Sequence, residues 1–253
     1  MSLRLAILIG INKYPNSTNC LRGCINDVNN WSKILKEKFG YSFETILDEK
    51  ATKKNVVDHL ENLIYDSQEG DSLVLQFSGH GTQISTSDSK EADGFCEAIC
   101  LYDKYLIDIE IEKILSKLKP NISLTIISDS CFSGNLTRNF NSDIKPRCAQ
   151  PFPLPIIKPT KRKRMFRIED NQEKMNHILY SGCAENETSA DACFNGIYEG
   201  AFSHYAIKVL SNGNFTNDSF FEELKKYIPS NLYPQHPQLE CSTILRNKNV
   251  FNV

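Results

Sequence analysis

Two short stretches carry residue types able to do covalent chemistry. Residues 78–81 read Ser-Gly-His-Gly, and residues 129–134 read Asp-Ser-Cys-Phe-Ser-Gly. A cysteine becomes a nucleophile when a base takes its proton, and acyl transfer also needs backbone N–H groups to stabilise the oxyanion. His80 stands between two glycines, where backbone can approach a substrate closely, and Cys131 stands on a tight turn. Taken singly, His80 is as well read as a structural histidine, and Cys131 as a small buried hydrophobe. The pair, 51 residues apart, points to thiol catalysis.

Both stretches follow runs that suit buried strands, 72–77 and 123–128. A third run, 3–10, is also apolar and ends in Gly10. Strand-like segments are expected at 43–47, 97–102, 177–180 and 243–245. Helices are expected at 26–39, stopped by Gly40, and from Thr52 as N-cap with Val56, Val57, Leu60 and Ile64 on one face. Further helices are expected at 109–118, 202–210 and 218–227. Strands alternating with helices imply an α/β fold with a mostly parallel sheet of about six strands and helices on both faces. In such sheets functional groups collect at the carboxyl ends of strands, where His80 and Cys131 fall.

The two stretches together resemble the metacaspases and their prokaryotic orthocaspase relatives, more than animal caspases. A histidine about 50 residues before the cysteine is the caspase arrangement. Supporting likenesses come in order along the chain. They are Leu-Arg-Gly-Cys-Ile-Asn-Asp at 21–27, Glu-Ala-Asp-Gly-Phe-Cys-Glu at 91–97, Ser-Gly-Cys-Ala-Glu-Asn-Glu-Thr-Ser-Ala-Asp at 181–191, and Pro-Gln-Leu at 237–239. The resemblance implies a caspase-like fold and a cysteine endopeptidase, with Cys131 as nucleophile, His80 as base, and the amides near Gly81 and Cys131 as oxyanion donors. It also places Asp27, Ser78 and Asp129 in the substrate pocket, with Cys24 as a pocket wall. Converging carboxylates would select a cationic side chain before the scissile bond, Arg bidentately or Lys as a point charge. The bland reading of Asp27 is a helix N-terminal acid. Calcium-dependent metacaspases carry further acids where this chain has Ile109 after Asp108, and Arg138. Asp93 and Asp108 supply too few oxygens for a hard cation, so no metal or other cofactor is expected. Phe132, where many eukaryotic relatives have His, points to the orthocaspase-like branch.

At 253 residues, 40% hydrophobic and 24% charged, the chain has the composition of a soluble globular protein. It lacks an apolar run long enough to span a membrane and a secretory h-region. Nine cysteines are too few for a disulfide scaffold, so a cytoplasmic protein with reduced thiols is expected. Cys20/Cys24 and Cys96/Cys100 have zinc-compatible spacing. The first pair overlaps the pocket motif and the second falls in an expected strand, so neither is read as a zinc site. Residues 145–167 hold eight basic residues and no acids. The rest of the chain has 21 basic residues against 31 acidic ones, a net of −10. Five of the ten prolines fall within 146–159, so this strap is expected as an exposed, extended loop. The expected organisation is one domain, 1–140 resembling a caspase large subunit, 141–175 a linker, and 176–253 resembling a small subunit. Lys161, Arg162, Lys163 and Arg164 would attract nucleic acid or be a solvated loop, but they are also the best substrate in the chain for an enzyme that cuts after basic residues. Self-cleavage is expected there and less so after Lys145 or Arg147. The expected function is an Arg/Lys-specific, self-processing zymogen, monomeric, acting on proteins or peptides, with no nucleic-acid or membrane partner. The alternative is a non-proteolytic caspase-like regulatory module.

Overall fold

Uninterrupted apolar runs make the strands at the centre of the molecule, as burial on both faces demands. The computed structural model describes residues 2–85, 95–132, 144–149, 175–184 and 187–251. Strands β1 (Arg4–Gly10), β3 (Ser72–Ser78) and β7 (Ser123–Asp129) lie side by side and parallel, with β2 (Ser42–Leu47) outside β1. Beyond β7, β9 (His177–Ser181) adds in parallel and β12 (Gln238–Glu240) closes the edge antiparallel. The sheet therefore has six strands in the order β12-β9-β7-β3-β1-β2. Its register sets Gly10 opposite Ser78 and Ser78 opposite Asp129, so the carboxyl ends of the three central strands form one rim.

Strand alternation feeds two apolar layers. Ile7, Ile9, Leu73, Leu75, Phe77, Leu124 and Ile126 face α2 (Lys53–Asp66) and α3 (Asp108–Leu115). Ala6, Leu8, Val74 and Ile127 face the other way. There they meet α1 (Cys24–Phe39), α4 (Ala201–Ser211) and α5 (Asn217–Leu224). Local chemistry sets the helix ends as expected. Thr52 accepts the Asn55 N–H at the start of α2, and Gly40 ends α1 at a φ of 72°. No helix among the described residues is long and apolar enough to cross a membrane.

Several elements differ from the sequence reading. α1 begins at Cys24, which brings Asp27 into its first turn. The last expected strand is instead a short helix, α6 (Thr243–Arg246), following Ser242; Ile244 points to solvent at 73% exposure, which a closing sheet strand would not tolerate. Two small antiparallel sheets are present of which the reading expected only one strand, at 97–102. One joins β4 (Gly81–Ser85), β5 (Phe95–Cys100) and β6 (Tyr105–Ile107). The other joins β8 (Lys145–Pro146), β10 (Ala190–Phe194) and β11 (Ile197–Gly200). The strap begins at β8. Its described residues, 145–149, are not exposed as expected: Arg147 is 0% accessible, and Cys148 and Ala149 are buried.

Candidate active site

β3 ends at Ser78 and hands the chain to Gly79 and His80; β7 ends at Asp129 and hands it to Ser130 and Cys131. Adjacent parallel strands in register thus deliver the histidine and the cysteine to the same rim. The turns must lie close. A Cβ on Gly81 would strike the Cys131 backbone carbonyl, so this position requires glycine.

His80 is buried. Its N–H donates to the Tyr14 hydroxyl (2.9 Å), and Nε2 lies 2.7 Å from the Asn19 carbonyl oxygen. A carbonyl only accepts, so Nε2 carries the ring proton. Nδ1 then holds a bare lone pair, buried and without a hydrogen-bond partner among the described residues. Burial pushes the imidazole down to about 4, against a smaller opposing pull from the Asn19 carbonyl, so the ring is neutral at pH 7. Cys131 is wholly buried. Burial pushes its thiol well up, and a hydrogen bond with Cys148 adds to the effect. Cys131, Cys148 and Cys183 form one small cluster. Cys148 Sγ donates to the Ala149 carbonyl (3.7 Å), His80 Nδ1 has no hydrogen-bond partner among the described residues, and neither member of the expected pair is charged.

Beneath this rim lies a buried cation. Arg147 Nη1 reaches Asp27 at 2.6 Å and Asp129 at 3.3 Å, and Nη2 reaches Asp191 at 3.0 Å; all four side chains are fully buried. Each carboxylate is held from behind. Asp27 Oδ1 accepts the Gly200 N–H (2.8 Å). Asp129 accepts the hydroxyls of Ser189 and Ser203 and the Ser203 N–H. Asp191 accepts the N–H groups of Arg22 and Gly23 just before α1. A single guanidinium does not balance three carboxylates. Burial, against the pull of Arg147, raises Asp27 to about 7, with Asp129 adding to the rise. Cys24 is buried close to this charge group. Burial pushes its thiol well up, Arg147 pulls it down, and the three aspartates raise it further.

The backbone of Arg147 is held as specifically as its side chain. Its carbonyl accepts N–H groups from both Gly81 (3.1 Å) and Cys131 (3.3 Å). Two donors converging on one oxygen beside a cysteine is the arrangement that stabilises an oxyanion.

Of the pocket residues expected from sequence, Asp27 and Asp129 meet at the guanidinium and Cys24 lies beside them. Ser78 is buried at the rim, where its hydroxyl accepts the Gln76 amide (2.7 Å). Lys161, Arg162, Lys163, Arg164, Asp93 and Arg138 lie outside the described residues. Asp108 starts α3 and accepts the N–H of its neighbour Ile109. Among the described residues, no group of three or more His, Cys, Asp or Glu side chains is arranged to hold a metal ion. The sequence reading gave no place in the pocket to Asp191, quoted only within the 181–191 likeness, to Arg147, named only as a less favoured cleavage residue, or to Asn19. For Asp191 a signal existed: an acid between two alanines in a β-like stretch is an acid headed for burial. Asn19 acts through its backbone carbonyl, which leaves no trace in residue type.

The profile of the family described as "Metacaspase, peptidase C14 domain" matches residues 4–138. Metacaspase-1 of Schizosaccharomyces pombe is 32% identical over 94% of this chain and 67% of its own length. Metacaspase-1B of Aspergillus fumigatus is 31% identical over 94% of this chain and 69% of its own. Metacaspase-8 of Arabidopsis thaliana is 43% identical over 55% of this chain and 39% of its own length. The crystal structure of a Geobacter sulfurreducens protein superposes with a TM-score of 0.75 over 99% of both chains at 22% identity, a likeness of fold.

Proposed function

Since the chain belongs to the metacaspase family of cysteine peptidases, we propose that it is an endopeptidase that cuts proteins after Arg or Lys through a Cys131–His80 dyad. The observation that carries this reading is Arg147. An arginine side chain fills a pocket of three aspartates while its own carbonyl rests on the N–H groups of Gly81 and Cys131. A residue before a scissile bond (P1) needs both contacts at once. Asp27, Asp129 and Asp191 would select the cation. The Gly81 and Cys131 amides would hold the oxyanion. His80 Nδ1, its lone pair free because Nε2–H is tied to Asn19, would take the thiol proton and pass it to the leaving amine. Ser78 and Cys24 then line the pocket without touching the charge. Such an enzyme would process itself in its basic linker, where the run at 161–164 offers P1 residues on every position.

The test is a fluorogenic peptide assay comparing Arg, Lys and Asp at P1, with Cys131→Ala and His80→Ala in parallel. Turnover of Arg and Lys peptides that both substitutions abolish is the expected result. Equal or better cleavage after Asp would refute the cationic pocket. No turnover of any peptide would return the chain to the reading of a non-proteolytic regulatory module.

A further inference from the structure

The pocket carboxylates are aimed by hydroxyl and backbone groups, and one buried side chain from late in the chain holds those groups in turn. Gln235 lies between α5 and β12 and is 1% exposed. Its Nε2 donates to the Gly182 carbonyl (2.6 Å) and to the Ser189 hydroxyl oxygen (3.2 Å), and its Oε1 accepts the Ala190 N–H (2.9 Å). A carbonyl only accepts and a backbone N–H only donates, so the amide has one orientation.

Each of the three groups leads to the pocket. The Ser189 oxygen receives an N–H from Gln235, which leaves its own proton to point at Asp129 Oδ1 (2.5 Å). Ala190 opens β10 and immediately precedes Asp191. Gly182 donates its N–H to the Ser128 carbonyl (2.8 Å), one residue before Asp129. A single amide thus reaches two of the three carboxylates, Asp129 through a hydroxyl and Asp191 through the strand that carries it. The segment bearing Gln235 is fixed against the same two stretches. The Tyr233 ring packs on that of Phe194 at the end of β10 (centroids 5.4 Å apart), and Glu187 accepts the His236 N–H.

A guanidinium presents its donors as a rigid planar fork and needs carboxylates at fixed directions, whereas an ammonium is a point charge that tolerates their displacement. An uncharged group that fixes carboxylate directions therefore acts on the choice between the two cations. We infer that Gln235 is a positioning residue for the pocket, acting through Ser189 and β10, and that it sets the preference for Arg over Lys. The inference rests on the protease reading above.

The test uses the whole chain and a pair of fluorogenic peptides that differ only in Arg or Lys at P1. Gln235→Met keeps the length of glutamine, adds no charge and can make none of the three hydrogen bonds as glutamine does. It should raise KM for the Arg peptide about tenfold with kcat within about twofold, and leave kcat/KM for the Lys peptide within about threefold. Ser189→Ala removes the hydroxyl through which Asp129 is reached. In the double variant the Arg-to-Lys ratio should fall no further than in the worse single one, because contacts on one route are not additive. Should Gln235→Met not fold, Gln235→Glu keeps the shape and the acceptor for Ala190 but cannot donate to Ser189 as a carboxylate. The charge it adds acts on both peptides, and their ratio should still fall. A folded Gln235 variant with the wild-type ratio, whether both rates are kept or both fall together, overturns the positioning role and leaves the protease reading standing. Losses that multiply in the double variant overturn the route through Ser189. Wild type that turns over neither peptide overturns the protease reading and this inference with it.

Discussion

Burial, more than the surplus of three carboxylates over one guanidinium, sets the charge state of Asp27. Its raised value, about 7 with Arg147 in place, means the pocket takes up a proton that a surface aspartate would have released near pH 4. The sign follows. Below about 7 Asp27 is protonated and the cation meets less charge; as pH rises through about 7 the pocket gains a charge and holds Arg more tightly. KM for an Arg peptide should therefore fall between pH 6 and 8, and Asp27→Asn should show a higher KM with this dependence flattened. A KM profile of the variant that parallels wild type would assign the titration elsewhere. Replacing Asp129 or Asp191 by Ala removes a charge-assisted contact of roughly 1.5–3 kcal/mol. It should lower kcat/KM on Arg peptides by about ten- to a hundredfold. Thermal melting distinguishes this from unfolding, since Asp191 also holds the backbone ahead of α1.

At the scale of elements, the pocket is built where ends meet: the carboxyl ends of β3 and β7, the first turn of α1, and the junction of β11 with α4. Gly200 is that junction. Its N–H donates to Asp27, and a Cβ there would collide with both the Asp129 carboxylate and the Arg147 guanidinium. Gly200→Ala should thus act on the pocket more than on the sheet. The expectation is about tenfold or greater loss of kcat/KM on Arg peptides with a melting decrease typical of overpacking, about 1–3 kcal/mol. Unchanged Arg turnover would show that the pocket relaxes freely. The next contact outward is Ser203, which donates to Asp129 and accepts the Trp31 indole N–H (3.1 Å). This joins α1 and α4 through the Ser203 hydroxyl, behind the Asp129 carboxylate.

At the scale of the whole molecule, the strap interrupts the sequence but not the sheet. β9 and β12 follow the strap, yet β9 pairs with β7 along five residues, and Ile178, Tyr180 and Leu239 share one apolar layer with Leu8 and Val74. A chain cut within the strap should remain one particle. After complete cleavage, the two fragments should coelute on size exclusion at the mass of the intact chain and separate only in denaturant. Elution of free fragments would mean that the back part carries its own core.

What the sequence by itself determined was whatever depends on residue type and local period. The runs at 3–10, 72–77 and 123–128 announce buried parallel strands because only apolar residues survive on both faces. Their endings in Ser78-Gly79-His80-Gly81 and Asp129-Ser130-Cys131 announce that His80 and Cys131 leave the sheet at its carboxyl rim. Thr52 and Gly40 announce helix ends because capping is local. What only the tertiary structure decided is which charges meet. Asp27, Asp129, Arg147 and Asp191 come from four separate segments, and no spacing rule joins them. The strap looks solvated because its composition is basic and rich in proline, and composition carries no information about a partner 120 residues away. Arg147 is buried because three aspartates on three different elements face one point, and the folded backbone alone sets that point.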